Sequence, residues 1–315
     1  MKRSLIIAVA ISCNFVAARA QNAGTAGAFS RLGYGARGMG MGNAMTAVTD
    51  GEIVSYYNPA LIPFATDHIV SATFGILSFD RYLNFLSYTQ PIAPRAGVSA
   101  GLINAGVRDI DGRDNDGVHT DNYSTTENEF YLAFANRVDE HVSLGVSIKL
   151  YYAKLYDQVS TTTVGFDAGG VFPVTEDFSL GIAVQDLGSK YKWDTKAIYG
   201  ENGRQTEDKF PTLRRIGASY TFRSVQTVLS AEIENSSDQT TLFRMGGEYR
   251  YNENFALRAG LDRWDLTSSA TGVKPTFGFT LRNSFNGWSM ALHYAYMIEG
   301  YSPQGMHMIT LSGIL

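Results

Sequence analysis

The densest set of potential ligands in this sequence is Asp109 to Asp116, DIDGRDND, whose carboxylates are suitable oxygen donors for a hard cation such as calcium. The segment lacks the spacing and the terminal Glu of an EF-hand loop, so a solvated acidic loop is the favoured expectation and no metal is assigned to it. The five histidines, His68, His119, His141, His293 and His307, are scattered without metal-ligand spacing. No G-x-S-x-G elbow, H-E-x-x-H or glycine-rich phosphate loop occurs in a strand-turn-helix setting. A Ser-His pair assembled by the fold in the external half of a barrel is a catalytic route that motif absence leaves open. The expectation is a protein that is not an enzyme, with no catalytic residue and no cofactor.

A second set of charges acquires meaning only from its surroundings. Lys149, Asp167, Glu232, Arg244, Glu248, Arg250, Arg258, Asp262, Arg282 and His293 all fall in segments that alternate apolar and polar residues with period two. Val142, Leu144, Val146, Ile148, Leu150 and Tyr152 share one face of such a segment, and Ser143, Gly145, Ser147, Lys149, Tyr151 and Ala153 share the other. About fourteen segments of this kind are expected, centred near residues 73, 86, 101, 132, 148, 166, 182, 218, 229, 246, 259, 279, 292 and 311. Segments of roughly nine to twelve residues are the length a tilted strand needs to cross an outer membrane, and an even count suits a single-chain barrel with both termini in the periplasm. The fold class expected is therefore all-β: an antiparallel transmembrane barrel of about fourteen strands, with the ten charges turned into its lumen.

The connections test this independently, because outer-membrane barrels alternate short periplasmic turns with longer external loops. Pro91 to Arg95, Asp139 to His141, Pro173 to Asp177, Arg223-Ser224, Asn252 to Asn254 and Asn283 to Gly287 form the short set. The opposite set holds every long connection, namely Val107 to Thr126, Gly188 to Pro211, Arg263 to Lys274 and Ile298 to Met306, besides shorter ones near Asp80, Asp157 and Asn235 to Thr240. A soluble sandwich or propeller would show similar alternation. A propeller should also repeat a signature every 40 to 50 residues or so, and none is found.

Composition agrees. Among 315 residues there are 32 Gly, 18 Tyr and 18 Phe, with 18% charged, and a mean hydropathy of −0.10 that is too low for helical membrane spans. The net charge of −4, without a basic stripe, makes nucleic acid an improbable partner. Residues 1–20 read as a secretory signal, with Lys2 and Arg3, an apolar run from Leu5 to Ile11, and Ala18-Arg19-Ala20 as the cleavage site. Its removal would take away Cys13, the single cysteine of the chain; Ala10-Ile11-Ser12 is a poor lipobox for the rival lipoprotein reading.

Residues 21–66 differ in kind from the barrel expected over 67–315. Gly33 to Asp50 reads GYGARGMGMGNAMTAVTD, and Asn58-Pro59-Ala60 follows. Met39, Met41, Ala44, Met45 and Val48 could share one side of a short helix, while Gly38, Gly40 and Gly42 would permit close approach to a wall. Asn-Pro-Ala marks a turn. The pattern of Gly35, Ala36, Arg37, Met41, Gly42, Ala44, Ala47, Val48 and Asp50, then Asn58, Pro59 and Ala60, resembles the N-terminal region of the PorV/PorQ family. That family is related in turn to FadL-type fatty-acid channels.

The resemblance implies a fourteen-stranded outer-membrane barrel with its N-terminal segment, a plug or hatch, packed inside. It further implies a component of type IX-like protein secretion that docks or shuttles secreted proteins. Its partners would be outer-membrane lipid, secretion-machinery proteins and their cargo. Transport of hydrophobic compounds, as in FadL-type barrels, is the alternative. The aromatics Tyr123, Tyr191 and Trp193 sit in the longest predicted external loops and are candidates for docking; a membrane-interface belt is the plainer reading of them.

Overall fold

The computed structural model describes residues 24–267, 272–285, 288–300, 302 and 304–314; the segment read as a signal, with Cys13, lies outside the described residues. The strands, in chain order, are β1 (Ile69–Ile76), β2 (Arg81–Ile92), β3 (Ala96–Arg113), β4 (His119–Arg137), β5 (Ser143–Tyr156), β6 (Val159–Pro173), β7 (Phe178–Leu187), β8 (Lys190–Asp194) and β9 (Gln205–Lys209). They continue with β10 (Leu213–Phe222), β11 (Thr227–Ser236), β12 (Thr241–Arg250), β13 (Phe255–Asp265), β14 (Lys274–Phe285), β15 (Trp288–Met297) and β16 (Met306–Ile314). Fourteen of these close into an antiparallel barrel, in which β7 pairs with β10 and β16 returns to β1; β8 and β9 form a separate hairpin. Each of the fourteen expected segments is a barrel strand.

The alternation explains why the sheet closes with its apolar side outward. On β5, Leu144, Val146, Ile148 and Leu150 are exposed while Ser147, Lys149 and Tyr151 are buried. The same inversion recurs around the wall, giving a belt of exposed Leu, Ile, Val and Phe edged by Tyr220, Tyr249, Tyr251 and Trp288 near the short turns. Such a surface would be untenable in water and is what hydrocarbon requires. No helix among the described residues is long and apolar enough to cross a membrane; the strands do so instead.

Two predicted loops are not loops. Val107 to Thr126 continues the β3–β4 ladder, with Ile110 opposite Tyr123 and Arg113 opposite His119, so β3 and β4 run to 18 and 19 residues. Gly188 to Pro211 contains the β8–β9 hairpin. The physical reason is that beyond the bilayer both faces of a ribbon meet water, which erases the period-two apolar signal while leaving the backbone pairing intact.

Residues 24–65 fill the lumen as a plug. The helix expected to carry Met39 to Val48 is not there: the observed helix is Gly35–Gly40, and Gly42 and Asn43, at φ values of 60° and 59°, turn the chain so that Met41, Ala44, Met45 and Val48 fall outside it. This helix, α1, lies against β14, β15 and β16, whereas a 3-10 turn, Pro59–Phe64, lies against β4, β5 and β6 on the opposite wall. The plug therefore spans the full width of the barrel.

Candidate functional site

Every residue of the N-terminal motif sits at the plug–wall interface or supports it. Gly35 takes a left-handed turn at φ 67°, which aims the N–H of Ala36 at Thr310 Oγ1 on β16, 2.9 Å away. Arg37 reaches the other side of α1 and grips Glu248 of β12 with two hydrogen bonds, Nε to Oε2 at 2.9 Å and an Nη2 contact to Oε1 at 3.1 Å. Its remaining donors meet the carbonyls of Glu52 and Asp50 at 3.0 and 2.9 Å. One guanidinium thus ties the helix, the following loop and the wall together, a fork that a lysine cannot reproduce. Burial works against its charge, but Glu248 holds the Arg37 guanidinium above its usual range.

Close backbone approach does the rest. A Cβ on Gly42 would lie 2.7 Å from the carbonyl oxygens of Met245 and Leu261. Reciprocally, Gly246 on β12 and Gly260 on β13 have no room for a side chain because the Met41–Gly42 backbone occupies it. Only Gly42 of the three plug glycines behaves as expected. Gly38 faces the ring of Tyr57 within the plug, and a Cβ on Gly40 would make ordinary 3.6 Å contacts. Met41 and Ala44 are buried beside it.

Asn58 has a larger role than a turn former. Its Oδ1 accepts the Ala60 N–H at 3.0 Å, capping the 3-10 turn, and its Nδ2 lies within bonding distance of the carbonyls of Thr46, Gly170 and Ile182 at 2.9, 3.1 and 3.2 Å. The side chain occupies the space beside Gly169, and Pro59 packs on Gly145, where a Cβ would come within 2.5 Å of its backbone. Ser143 Oγ donates to the Ala60 carbonyl at 2.7 Å.

The lumenal charges form three buried groups, and all ten expected residues face inward. Near the external side Lys149 is surrounded by Asp167, Asp186 and Glu129 at 2.9, 3.2 and 3.5 Å, and neither oxygen of Glu129 has a hydrogen bond. In the middle Arg244 bridges Glu232, Glu234 and Asp262, with Arg215 on Glu234. Glu232 also accepts the N–H and hydroxyl of Thr46, at 3.2 and 2.6 Å, tying this network to the plug. Toward the short turns, Glu248 joins Arg37 to Arg258 and Arg250, Arg250 reaches Asp50 at 3.1 Å, and Glu52 meets Arg282 at 2.8 Å and His293 at 3.0 Å. Glu129, Asp186, Arg215 and Glu234 were missed in the sequence reading. The outward parity of Phe130, Leu132 and Ile216 is the signal by which Glu129 and Arg215 could have been placed inward.

His293 does stand beside a serine, with Ser312 Oγ 2.9 Å from Nε2, but Glu52 approaches that same nitrogen. A relay needs the acid and the hydroxyl on opposite ring nitrogens. Thr280 stands on the other ring nitrogen, Nδ1, and its hydroxyl also accepts a bond from Arg258, which ties β13 to β14 and β15. The group holds the plug floor together.

Below this floor a cavity of about 880 Å³ opens among the short turns, lined by Asp50, Glu52, Arg223, Arg250, Arg258 and Arg282 among others. Above it, between Tyr34, Met45, Tyr57 and His293, only about 30 Å³ is free, so Arg37 and Glu52 stand at the seal between the two. Beyond the seal the lumen is packed with rings. Tyr34 lies 4.5 Å from Phe85 and 5.1 Å from Tyr56, and Tyr151 and Tyr191 each lie 4.8 Å from Phe210 (ring centroids).

The predicted docking aromatics belong largely to this packing. Tyr191 and Trp193 are 3% and 8% exposed, turned inward on the β8–β9 hairpin; Tyr191 donates to Glu127 and Trp193 to Asp208. They cap the barrel mouth and are not presented to a partner. Tyr123 is half-buried and stacks on Tyr156 at 5.6 Å on the β3–β4 ribbon. In the acidic segment, Asp111 pairs with Arg113 and His119, and Asp114 accepts the N–H groups of Asp116 and Val118, as in a tight turn. Among the described residues no cluster of three His, Cys, Asp or Glu is placed to hold a metal ion.

No family model and no curated protein sequence matches the chain. Solved structures do. A CymD monoaromatic hydrocarbon channel superposes with a TM-score of 0.65 at 15% identity, covering 90% of this chain and 97% of that one. The toluene transporter TodX of Pseudomonas putida gives 0.60 at 14% identity, covering 90% and 96%. A FadL homologue of Pseudomonas aeruginosa gives 0.58 at 14% identity, covering 89% and 97%. The PorV/PorQ resemblance has no counterpart among these matches. The fold is that of the FadL-type outer-membrane barrels, and with its apolar belt it places the protein in the outer membrane.

Proposed function

We propose that the chain is a channel for small hydrophobic compounds across the outer membrane, held closed by residues 24–65. The observation that carries the reading is end-to-end likeness to channels described as carrying monoaromatic hydrocarbons and toluene, in a barrel whose lumen is sealed by a plug beneath a packed cluster of rings. Tyr34 meets Tyr131 edge to face and Phe85 at a tilt, Tyr151 meets Phe210 edge to face, and an aromatic solute would exchange one such contact for another. Arg37 and Glu52 would act as the latch, and no catalytic step is assigned. The test is uptake of radiolabelled toluene by cells lacking their own hydrocarbon channels. Expression should raise uptake above the empty vector, and equal uptake would sink the reading.

The second reading is a docking component of protein secretion, in which the lumen never opens. It is favoured by the N-terminal motif's likeness to PorV/PorQ proteins and by the β8–β9 cap over the mouth. Affinity purification from the native outer membrane separates the two. Secretion components recovered together with absence of uptake would favour docking.

A further inference from the structure

On the outer wall three asparagines stand in register across adjacent strands: Asn84 of β2 opposite Asn104 of β3, and Asn104 opposite Asn128 of β4. Their parity is that of the lipid-facing residues, since Leu86 on β2 and Phe130 and Leu132 on β4 share their face at two-residue steps and are about half exposed. On β2 the asparagine lies within the apolar band, one step inside Tyr82 and two steps outside Tyr88. A carboxamide in hydrocarbon is costly unless bonded. Asn104 donates to Asn128 at 2.8 Å, whereas Asn84 has no side-chain hydrogen bond among the described residues.

This row borders a recess of about 320 Å³ floored by Ala72 and walled by Phe74, Leu86 and Leu102. Outward from it, Gly106 leaves room for the Tyr82 ring, and the guanidinium of Arg108 lies 4.5 Å above that ring. Arg108 is exposed and has no carboxylate at ion-pair distance among the described residues. From the bilayer outward the wall therefore offers an apolar trough, a row of amides and a free cation.

We infer that this trough is a binding site for one anionic lipid of the outer leaflet, whose acyl chain is joined through an amide or ester group. The chain lies over Ala72, the linkage meets Asn84 and Asn104, and the headgroup phosphate meets Arg108. A second barrel is the poorer fit, because two convex walls would bridge the recess and leave it unfilled. The site is independent of what crosses the lumen.

The experiment is native mass spectrometry of delipidated protein mixed with diphosphorylated lipid A, with dioleoylphosphatidylcholine as the neutral control. One lipid A should be retained in preference to the control. Arg108→Ala should cut its occupancy roughly tenfold, the effect of losing one hydrogen bond to a charged group. Asn104→Leu should cut it as well, and because the change places an apolar residue against lipid the barrel should remain heat-modifiable. Equal retention of the two lipids, or unchanged occupancy in Arg108→Ala, would overturn the proposal; the arginine lies outside the spanning band, so this arm stands even where Asn104→Leu fails to fold.

Discussion

Gly42 of the plug and Gly260 of β13 meet backbone to backbone, so that a Cβ on either would lie inside the other's main chain or the strand beside it. Gly42 also sits at φ 60°, a conformation that a β-branched residue adopts only with strain. The contact couples a feature of residues 21–66 to one of the barrel, and neither alone explains why both positions lack side chains.

Gly260→Val should therefore leave a barrel that inserts and remains heat-modifiable while its plug is displaced. Limited proteolysis of membrane-inserted protein reads this directly. Cleavage within 24–65 should be faster in Gly260→Val than in wild type, whereas Gly40→Ala, where a Cβ meets ordinary 3.6 Å contacts, should behave as wild type. Identical digestion of all three proteins would show that the wall glycines do not seat the plug.

The Arg37–Glu248 fork makes a sharper energetic statement. Removing one partner of a buried pair strands the other charge, at a cost of about 3–5 kcal/mol. Arg37→Met should loosen the plug by that order, although Arg258, 2.6 Å from Glu248, limits the loss. The double variant Arg37→Met with Glu248→Gln should cost less than the sum of its singles, because both remove the same fork, although Glu248→Gln also deprives Arg258 of its carboxylate. The measurement is the denaturant concentration at which residues 24–65 become protease-sensitive, and a double variant worse than the sum of its singles would contradict the pairing.

Much of this arrangement was legible in the sequence and some was not, for reasons that differ by location. Within the bilayer, lipid on one side and a polar lumen on the other impose period two so strictly that all fourteen strands and the inward facing of Lys149, Arg244 and Glu248 could be read off. Outside the bilayer that constraint vanishes, and the β3–β4 ribbon and the β8–β9 hairpin passed for loops. Tyr191 and Trp193 read as exposed aromatics in sequence because a loop's sequence does not say whether it folds back over the mouth. The role of Asn58 was half visible: the Asn-Pro turn was evident, but its bonds to the Gly170 and Ile182 carbonyls join residues more than a hundred positions apart.

Glu52 gives a prediction in pH. Burial opposes its charge, yet His293 and Arg282 hold the carboxyl well below the usual carboxylate range. A depressed folded-state value contributes stability that is present above the unfolded value, about 4.3, and is lost only as pH falls through the folded one. Plug protection in wild type should therefore be unchanged between about pH 7.5 and pH 5. Glu52→Gln should be more protease-sensitive at both. A wild-type plug released across that interval would mean that Glu52 takes up its proton above the ordinary value of about 4.3, not below it.

Topology is tested by tags. An epitope inserted at Gly117, at the tip of the β3–β4 ribbon where nothing crowds the backbone, should be accessible on intact cells. One inserted at Gln226, in the short turn between β10 and β11, should label only after permeabilisation. Reversed labelling would invert the barrel and with it the assignment of the 880 Å³ cavity to the periplasmic side.

The final prediction asks whether the plug is a gate. A Cβ built on Gly217 of β10 lies 3.3 Å from the Cβ of Thr46 in the plug, close to the spacing of about 3.5–4.5 Å found across disulfides. The sole native cysteine, Cys13, falls in the segment read as a cleaved signal, so Thr46→Cys with Gly217→Cys should form one defined crosslink, visible as a mobility shift abolished by reductant. Thr46→Cys alone forfeits the hydroxyl bond to Glu232 and is the control for that loss. If hydrocarbon passes only when residues 24–65 move away from β10, toluene uptake by the oxidised double variant should fall to the empty-vector level and return on reduction, while both single variants transport throughout. Full transport by the locked barrel would mean that solute passes around a fixed plug, and the latch assigned to Arg37 and Glu52 would fail with it. Absence of uptake in wild type would instead remove the channel reading while leaving the crosslink, and the seat it measures, intact.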